Sequence, residues 1–211
     1  MRVEYLLILI ILIILLKLLK LLTTKKSLTK IKGDVGEKRT RKILLSLRDY
    51  KTLDDVLLES KNGTTQIDHI CIGPKGVFVI EDKNYSGWIF GDENSKYWTQ
   101  TIYKEKNKFF NPIRQNYGHI KATEEVIKSV GDIIPQSIIV FSNRCEFKKV
   151  NTITPVLHRS DLKSFINAYN SEYNLDEEMI KRIYYKIFKA NILDEEKRRE
   201  HLERVKNIKS S

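Results

Sequence analysis

Residues 66–83, QIDHICIGPKGVFVIEDK, constrain this chain more than any other stretch. Two apolar runs rich in β-branched residues, 67–72 and 77–80, flank Gly73-Pro74-Lys75-Gly76, which predicts a β-hairpin. With Pro74 and Lys75 as the turn residues, Gly73 faces Gly76 and Asp68 lies opposite Glu81. Side chains alternate along a strand, so Lys83 shares a face with Glu81. A bulged turn is the alternative register, and it would move the partner of Asp68 to Asp82. Glu81 is preferred because it brings a lysine onto its own face.

Opposed Cβ atoms sit about 4.5–5.5 Å apart, and like charges placed there repel. A divalent cation held by the carboxylate oxygens relieves that repulsion, and Lys83 beside it can hold or deprotonate a water. Those are the parts of metal-assisted phosphodiester cleavage. The plainer reading is a solvated Glu81–Lys83 ion pair at a strand end with Asp68 exposed.

The rest of the composition narrows the class. The net charge of +11 over 211 residues suggests a nucleic-acid footprint, yet residues 1–32 alone hold +6 of it, so much of the basicity belongs to the N-terminal segment. Cys71 and Cys145 are far apart and show no zinc or disulfide spacing. His69, His119, His158 and His201 lack the HxxxH or HxH pattern of a metal site, and His69 alternates away from Asp68. No G-x-S-x-G and no phosphate-binding glycine loop is present.

Residues 5–16 are uninterruptedly apolar, and the run continues through Leu22, broken by Lys17 and Lys20. Eighteen residues give about 27 Å of helix, enough to span a bilayer. No small-residue cleavage site follows, against a signal peptide, and the run is apolar all round, against an interfacial helix. The expectation is an uncleaved anchor over residues 1–24 and a basic linker over 25–32. Lys17, Lys20, Lys25, Lys26, Lys30 and Lys32 follow the span, which predicts a single-pass protein of the cell membrane with its C-terminal domain cytoplasmic.

Downstream, an amphipathic helix is expected from Gly33 or Asp34 to about Asp49, with Glu37 in its first turn, where the helix dipole favours a carboxylate. A short strand at 53–60 with an Asn62-Gly63 turn leads into the hairpin. A second small hairpin follows over 88–91 and 97–103. Residues 96–110 interleave lysines with aromatics, which suits a nucleic-acid groove or a lysine-rich edge hairpin equally. Asn111-Pro112 opens a helix to about Val130 carrying Gln115. Residues 136–141 read as a buried strand, 143–149 as a polar loop and 152–157 as a last short strand. Ser160-Asp161 caps a helix to Tyr169, 176–190 is an amphipathic helix, and 194–209 is a charged, solvated one.

The order helix, three antiparallel strands, helix, strand, with D…ExK across two strands, resembles the PD-(D/E)XK nuclease superfamily. More narrowly the chain resembles the nuclease-related domain (NERD) family, through G-x-x-G-E at 33–37, residues 66–87, Trp98-Thr99-Gln100 and Asn111-Pro112-Ile113-Arg114-Gln115. The resemblance implies an α/β fold with a restriction-endonuclease-like mixed sheet flanked by helices. It implies a nuclease core over 33–145, with 146–211 completing or flanking it. It also implies metal-binding roles for Asp68 and Glu81, with Glu37 completing the set, and a catalytic lysine at Lys83. Gln100 and Gln115 fall at further polar positions near the scissile phosphate. Asp82 in the middle of ExK adds a charge that alternation turns away. The expected function is a membrane-anchored, Mg²⁺- or Mn²⁺-dependent nuclease acting on DNA or RNA, with the lipid bilayer engaged through residues 5–22. The alternatives are a nucleic-acid-binding scaffold with little or no cleavage, and an envelope stress or assembly protein.

Overall fold

The computed structural model describes residues 11–15, 17 and 33–210. Most of the expected span at 5–22 lies outside them, and among the described residues no helix is long and apolar enough to cross a membrane.

The first helix, α1, covers 33–44. It stops five residues short of expectation because its last turn tightens into i→i+3 bonds, Ser46 N to Ile43 O and Leu47 N to Leu44 O. Asp49 then takes a left-handed φ of 64° and reverses the chain. Three antiparallel strands follow: β1 (Lys51–Ser60), β2 (Gly63–Gly73) and β3 (Gly76–Lys83). Gly63 pairs with Ser60, so the first turn is Lys61-Asn62, one residue earlier than expected. The central hairpin has the expected register, Gly73 opposite Gly76 through His69 opposite Ile80. β7 (Gln136–Phe141) and β9 (Val156–His158) add in parallel, giving a five-stranded sheet ordered β1-β2-β3-β7-β9.

A second sheet departs from the expectation of one. The strand order β6-β5-β4-β8 is built from β4 (Gly87–Asp92), β5 (Tyr97–Ile102), β6 (Glu105–Phe110) and β8 (Cys145–Asn151). The chain leaves the first sheet at residues 84–86, and Gly87 re-enters with φ 80°, where a side chain would meet the Thr101 carbonyl. β8 is a strand where a polar loop is expected: Glu146, Lys148 and Lys149 face solvent and hide the pattern, while Phe147 and Val150 pack inward.

Helices cover both faces of the larger sheet. α2 (Pro112–Ile127) and α4 (Glu177–Ala190) cover the face bearing Ile70, Ile72, Val77 and Val79. α1 and α3 (Leu162–Ala168) cover the opposite face at Cys71, Phe78, Ile80, Ile138 and Val140. The short 3-10 turn Arg159–Asp161 precedes α3, and Asp161 makes no side-chain cap. The second sheet packs onto the end of β7, where Phe141 stacks with Trp98 at 6.1 Å and an interplanar angle of 6°. α5 (Glu195–Ser210) is held by polar contacts: Arg198 bonds the Asp55 carboxylate and carbonyl, Arg204 bonds Thr64 O, and buried His201 meets Thr64 Oγ1. It is therefore docked, where its sequence had suggested a solvated helix.

Candidate active site

Alternation along β3 divides its charged end between two faces. Glu81 and Lys83 point to the α2 side, and Asp82 points to the α1 side. The hairpin register continued one step beyond His69 and Ile80 sets Asp68 against Glu81. Asp68 Oδ2 accepts from the Asp82 backbone N at 2.8 Å, which fixes this carboxylate at the open end of the hairpin. The next residue in that row, Asp55 of β1, leaves the ladder with a φ of 52°. An Asp tolerates that left-handed conformation, and its carboxylate turns to Gln66 and Arg198.

Glu81 is buried and held on both oxygens. Lys83 Nζ donates to Oε1 at 2.5 Å, and His119 Nε2 lies 3.1 Å from Oε2. Lys83 also donates to Gln115 Oε1 at 3.1 Å, so Gln115 and His119, one turn apart on α2, grip the same pair. Asn111 sets the position of α2. Its side chain caps Ile113 N and donates to the carbonyls of Asp92, Glu93 and Ser95. Buried Asn116 ties the helix to Val79 O and Ser137 Oγ.

The electrostatics follow from this packing. Burial alone would raise the Glu81 pKa, but the Lys83 ammonium and the His119 hydrogen bond reverse it and bring it down to about 2. Burial alone would lower Lys83, but Glu81 and Asp68 reverse that and hold it firmly as an ammonium. Asp68 goes the other way: burial, and then the Glu81 charge, push its carboxyl well above the usual carboxylate range. Because Glu81 is a carboxylate and can only accept, His119 Nε2 must carry a proton. In the neutral tautomer Nδ1 then accepts from Thr65 Oγ1, 2.7 Å away.

Glu37 lies on α1, with Oε1 turned back toward Gly33 at the start of its own helix. Burial raises its pKa; Asp82, Asp34 and Asp55 add to this, and His69 opposes it. Glu37 also adds slightly to the rise at Asp68, but no hydrogen bond joins it to Asp68 or Glu81. Gln100 lies in the second sheet and donates to Ser86 O at 2.8 Å, three residues past Lys83 and not in contact with it. Asp68, Glu81, Lys83 and Gln115 are thus gathered, while Glu37 and Gln100 stand at the margin.

Asp82 is turned away and buried. It pairs with Arg159 at 2.7 Å and accepts from Thr40, and Arg159 Nε also donates to Thr40 at 2.7 Å. His69, on the same face, bonds Asp54 at 2.6 Å. His119 and Thr65 were not found by sequence reasoning. The available signal was the four-residue step from Gln115 to His119, which places both on one helix face.

Among the described residues no three His, Cys, Asp or Glu side chains form a ready-made cage. Two adjacent carboxylates are nonetheless a donor set that fits Mg²⁺ or Mn²⁺. Mg²⁺ prefers hard oxygen ligands and commonly takes one or two carboxylates, filling its remaining positions with water and substrate phosphate. A cation at Asp68 would also offset the like charge that raises its pKa.

A family model described as the nuclease-related domain matches residues 32–142. An uncharacterized protein from Bacillus anthracis is 40% identical over 189 residues, which is 87% of this chain and 88% of that protein. No solved structure matches. Since the family model spans more than half of the sequence and the relative nearly all of it, the chain belongs to the nuclease-related domain (NERD) family.

Proposed function

We propose that this protein is a metal-dependent nuclease that hydrolyses phosphodiester bonds in DNA, tethered to the cell membrane by residues 5–22 with its folded domain on the cytoplasmic side. The observation that carries the reading is the set Asp68, Glu81 and Lys83 on one sheet face, with Lys83 and Glu81 bonded to each other and to Gln115 and His119 of α2. Asp68 and Glu81 are the residues that would hold Mg²⁺ or Mn²⁺, with Glu37, whose charge acts on Asp68, as a further carboxylate. Such a cation supplies charge neutralisation at the phosphate and a bound water of lowered pKa.

The chain's own residues divide the remaining work. Lys83 stays an ammonium beside two carboxylates, so its role is to donate a hydrogen bond and orient water or a phosphate oxygen; its surroundings do not favour the deprotonated form that a base needs. Gln115 fixes the Lys83 head, and His119 fixes the Glu81 carboxylate, so neither has to reorganise during reaction. Gln100, anchored at Ser86 O, stands beside the strand exit at residues 84–86, where substrate backbone leaving the site would pass.

The test is incubation of the full chain with plasmid, linear duplex, single-stranded DNA and RNA in Mg²⁺ or Mn²⁺. Glu81→Gln and Lys83→Ala are each expected to lower the rate by about 10²–10³-fold, and EDTA to abolish cleavage. Cleavage that survives both substitutions would rule out this site. Absence of cleavage in the parent protein, with salt-sensitive DNA binding retained, would make the chain a binding module.

A further inference from the structure

The four-stranded sheet has two unlike faces. Ile89, Trp98 and Phe109 point inward onto Phe141. The alternate positions carry Trp88, Phe90, Tyr97 and Phe110 outward, and Trp88, Tyr97 and Phe110 are 48%, 50% and 44% exposed. Large exposed aromatics gathered on one surface mark an interaction site more often than chance exposure.

The cations on this face follow its register. Lys106 lies in the row of Trp88 through Thr101, and Lys108 lies in the row of Phe90 through Thr99. Both are exposed. On the neighbouring strand, Glu146 lies in the row of Trp88 and pairs with Lys148, whose Nζ sits 5.0 Å over the Trp88 ring, so a phosphate would meet Lys148 by replacing this exposed carboxylate. The face therefore carries rings on β4, at Tyr97 and at Phe110, with ammonium groups along β6 and a Lys148–Glu146 pair beside Trp88.

We propose that this outer face binds single-stranded DNA, with bases stacking on Trp88 and Tyr97 and phosphates meeting Lys106, Lys108 and Lys148. The proposal rests on the nucleic-acid reading of the Asp68–Glu81 site and adds the form of nucleic acid that site receives. Trp88 and Phe90 are two apart on β4, about 6.6–6.8 Å, and Tyr97 lies two positions beyond the partner of Phe90, so the rings step along the sheet from Trp88 through Phe90 to Tyr97 as successive splayed bases would. An aromatic ring accepts the π-face of any base, and a duplex hides those faces inside its own stack. Threonines, not aliphatic side chains, fill the positions between the rings, so the surface lacks the apolar wedge that insertion into a bilayer requires. Trp88 is also five residues past Lys83, so a strand lying on this sheet is near the scissile site along the chain.

The experiment measures binding of the full chain carrying Glu81→Gln, in EDTA, to a labelled oligothymidine of about 15 nucleotides. Trp88→Ala is expected to weaken binding by about tenfold or more, and Trp88→Phe to restore most of it. Replacing Lys106, Lys108 and Lys148 together with alanine is expected to flatten the slope of log K against log salt by about 2. Three results overturn the proposal: Trp88→Ala that binds like its parent, duplex or RNA bound more tightly than single-stranded DNA, or variants that lose only their association with phosphatidylserine vesicles. Binding is read without hydrolysis, so the two readings fail separately. Single-strand binding through Trp88 in a protein that never cleaves removes only the hydrolytic reading. Cleavage that goes with an unaltered Trp88→Ala affinity removes only this one.

Discussion

The surroundings of Asp68 oppose its charged form, and that gives it a testable sign. Its folded pKa lies above the ordinary carboxylate value, so between the two the unfolded chain has released a proton that the folded chain keeps. Stability therefore falls as pH rises through that window. In EDTA at neutral pH, Asp68→Asn is expected to raise the melting temperature by about 2–4 °C, the shift that roughly 1 kcal/mol gives in a protein of this size. The same variant should lose any Mg²⁺- or Mn²⁺-dependent rise in melting temperature that the parent shows. Glu81 has the opposite sign. Its pKa is held at about 2, so its contribution is complete above its usual value of 4.5 and is lost as pH falls toward 2. His119→Gln weakens that hold, and acid unfolding followed by circular dichroism should begin at a higher pH. Alternation alone was enough to place Asp68, Glu81 and Lys83 on one face. His119 is not legible in the same way, because no second histidine stands at ligand spacing from it and its partners are a threonine and a glutamate from other strands.

Between elements, the contacts hardest to read were polar ones joining distant segments. Arg159, Asp82 and Thr40 bind the 3-10 turn, β3 and α1 into one buried cluster, with the Asp82 side chain 1% exposed. Removing one partner strands a buried charge. Asp82→Ala is expected to cost about 3–5 kcal/mol in urea unfolding, while a surface pair such as Lys121–Glu124 removed in the same way should leave the urea midpoint nearly unchanged. Nothing near residue 82 in the sequence names Arg159 as its partner, since 77 residues separate them. α5 is similar: its few apolar positions gave no docking signal, yet Arg204 reaches Thr64 beside Gly63, whose φ of 111° and absent side chain leave room for the guanidinium. Arg204→Ala should speed amide exchange and proteolysis in α5 and leave the exchange of β2 and β3 nearly unchanged, because the helix opens locally. The amphipathic helix at 177–190 was legible because its buried Ile180, Ile183 and Ile187 recur at helical spacing.

Across the whole molecule, charge is segregated in a way that links metal to nucleic acid. Asp68 and Glu81 stand opposed on β2 and β3 and Glu37 acts on Asp68 from α1, while Asp55 and Asp82 are neutralised by Arg198 and Arg159, so the acidic positions left for a cation are gathered at one end of the hairpin. The outer face of the second sheet bears lysines and attracts a DNA strand. Composition alone could not show this arrangement, because a net charge says nothing of position. The second sheet was hidden for a related reason: β4 pairs in parallel with β8, more than fifty residues further along, and no local pattern encodes that contact. If the Asp68–Glu81 pair is the metal site, metal and DNA must each raise the affinity for the other by the same factor. Ca²⁺, a hard oxygen-seeking ion, can be used to measure this with hydrolysis followed in parallel. Added Ca²⁺ is expected to tighten binding of the parent chain to a DNA oligonucleotide by about 5–150-fold, the range that 1–3 kcal/mol of coupling gives. Asp68→Asn should gain little on adding Ca²⁺, since it has lost the carboxylate that would hold the ion. Equal metal enhancement in the parent and in Asp68→Asn, measured by anisotropy, would move the cation away from Asp68.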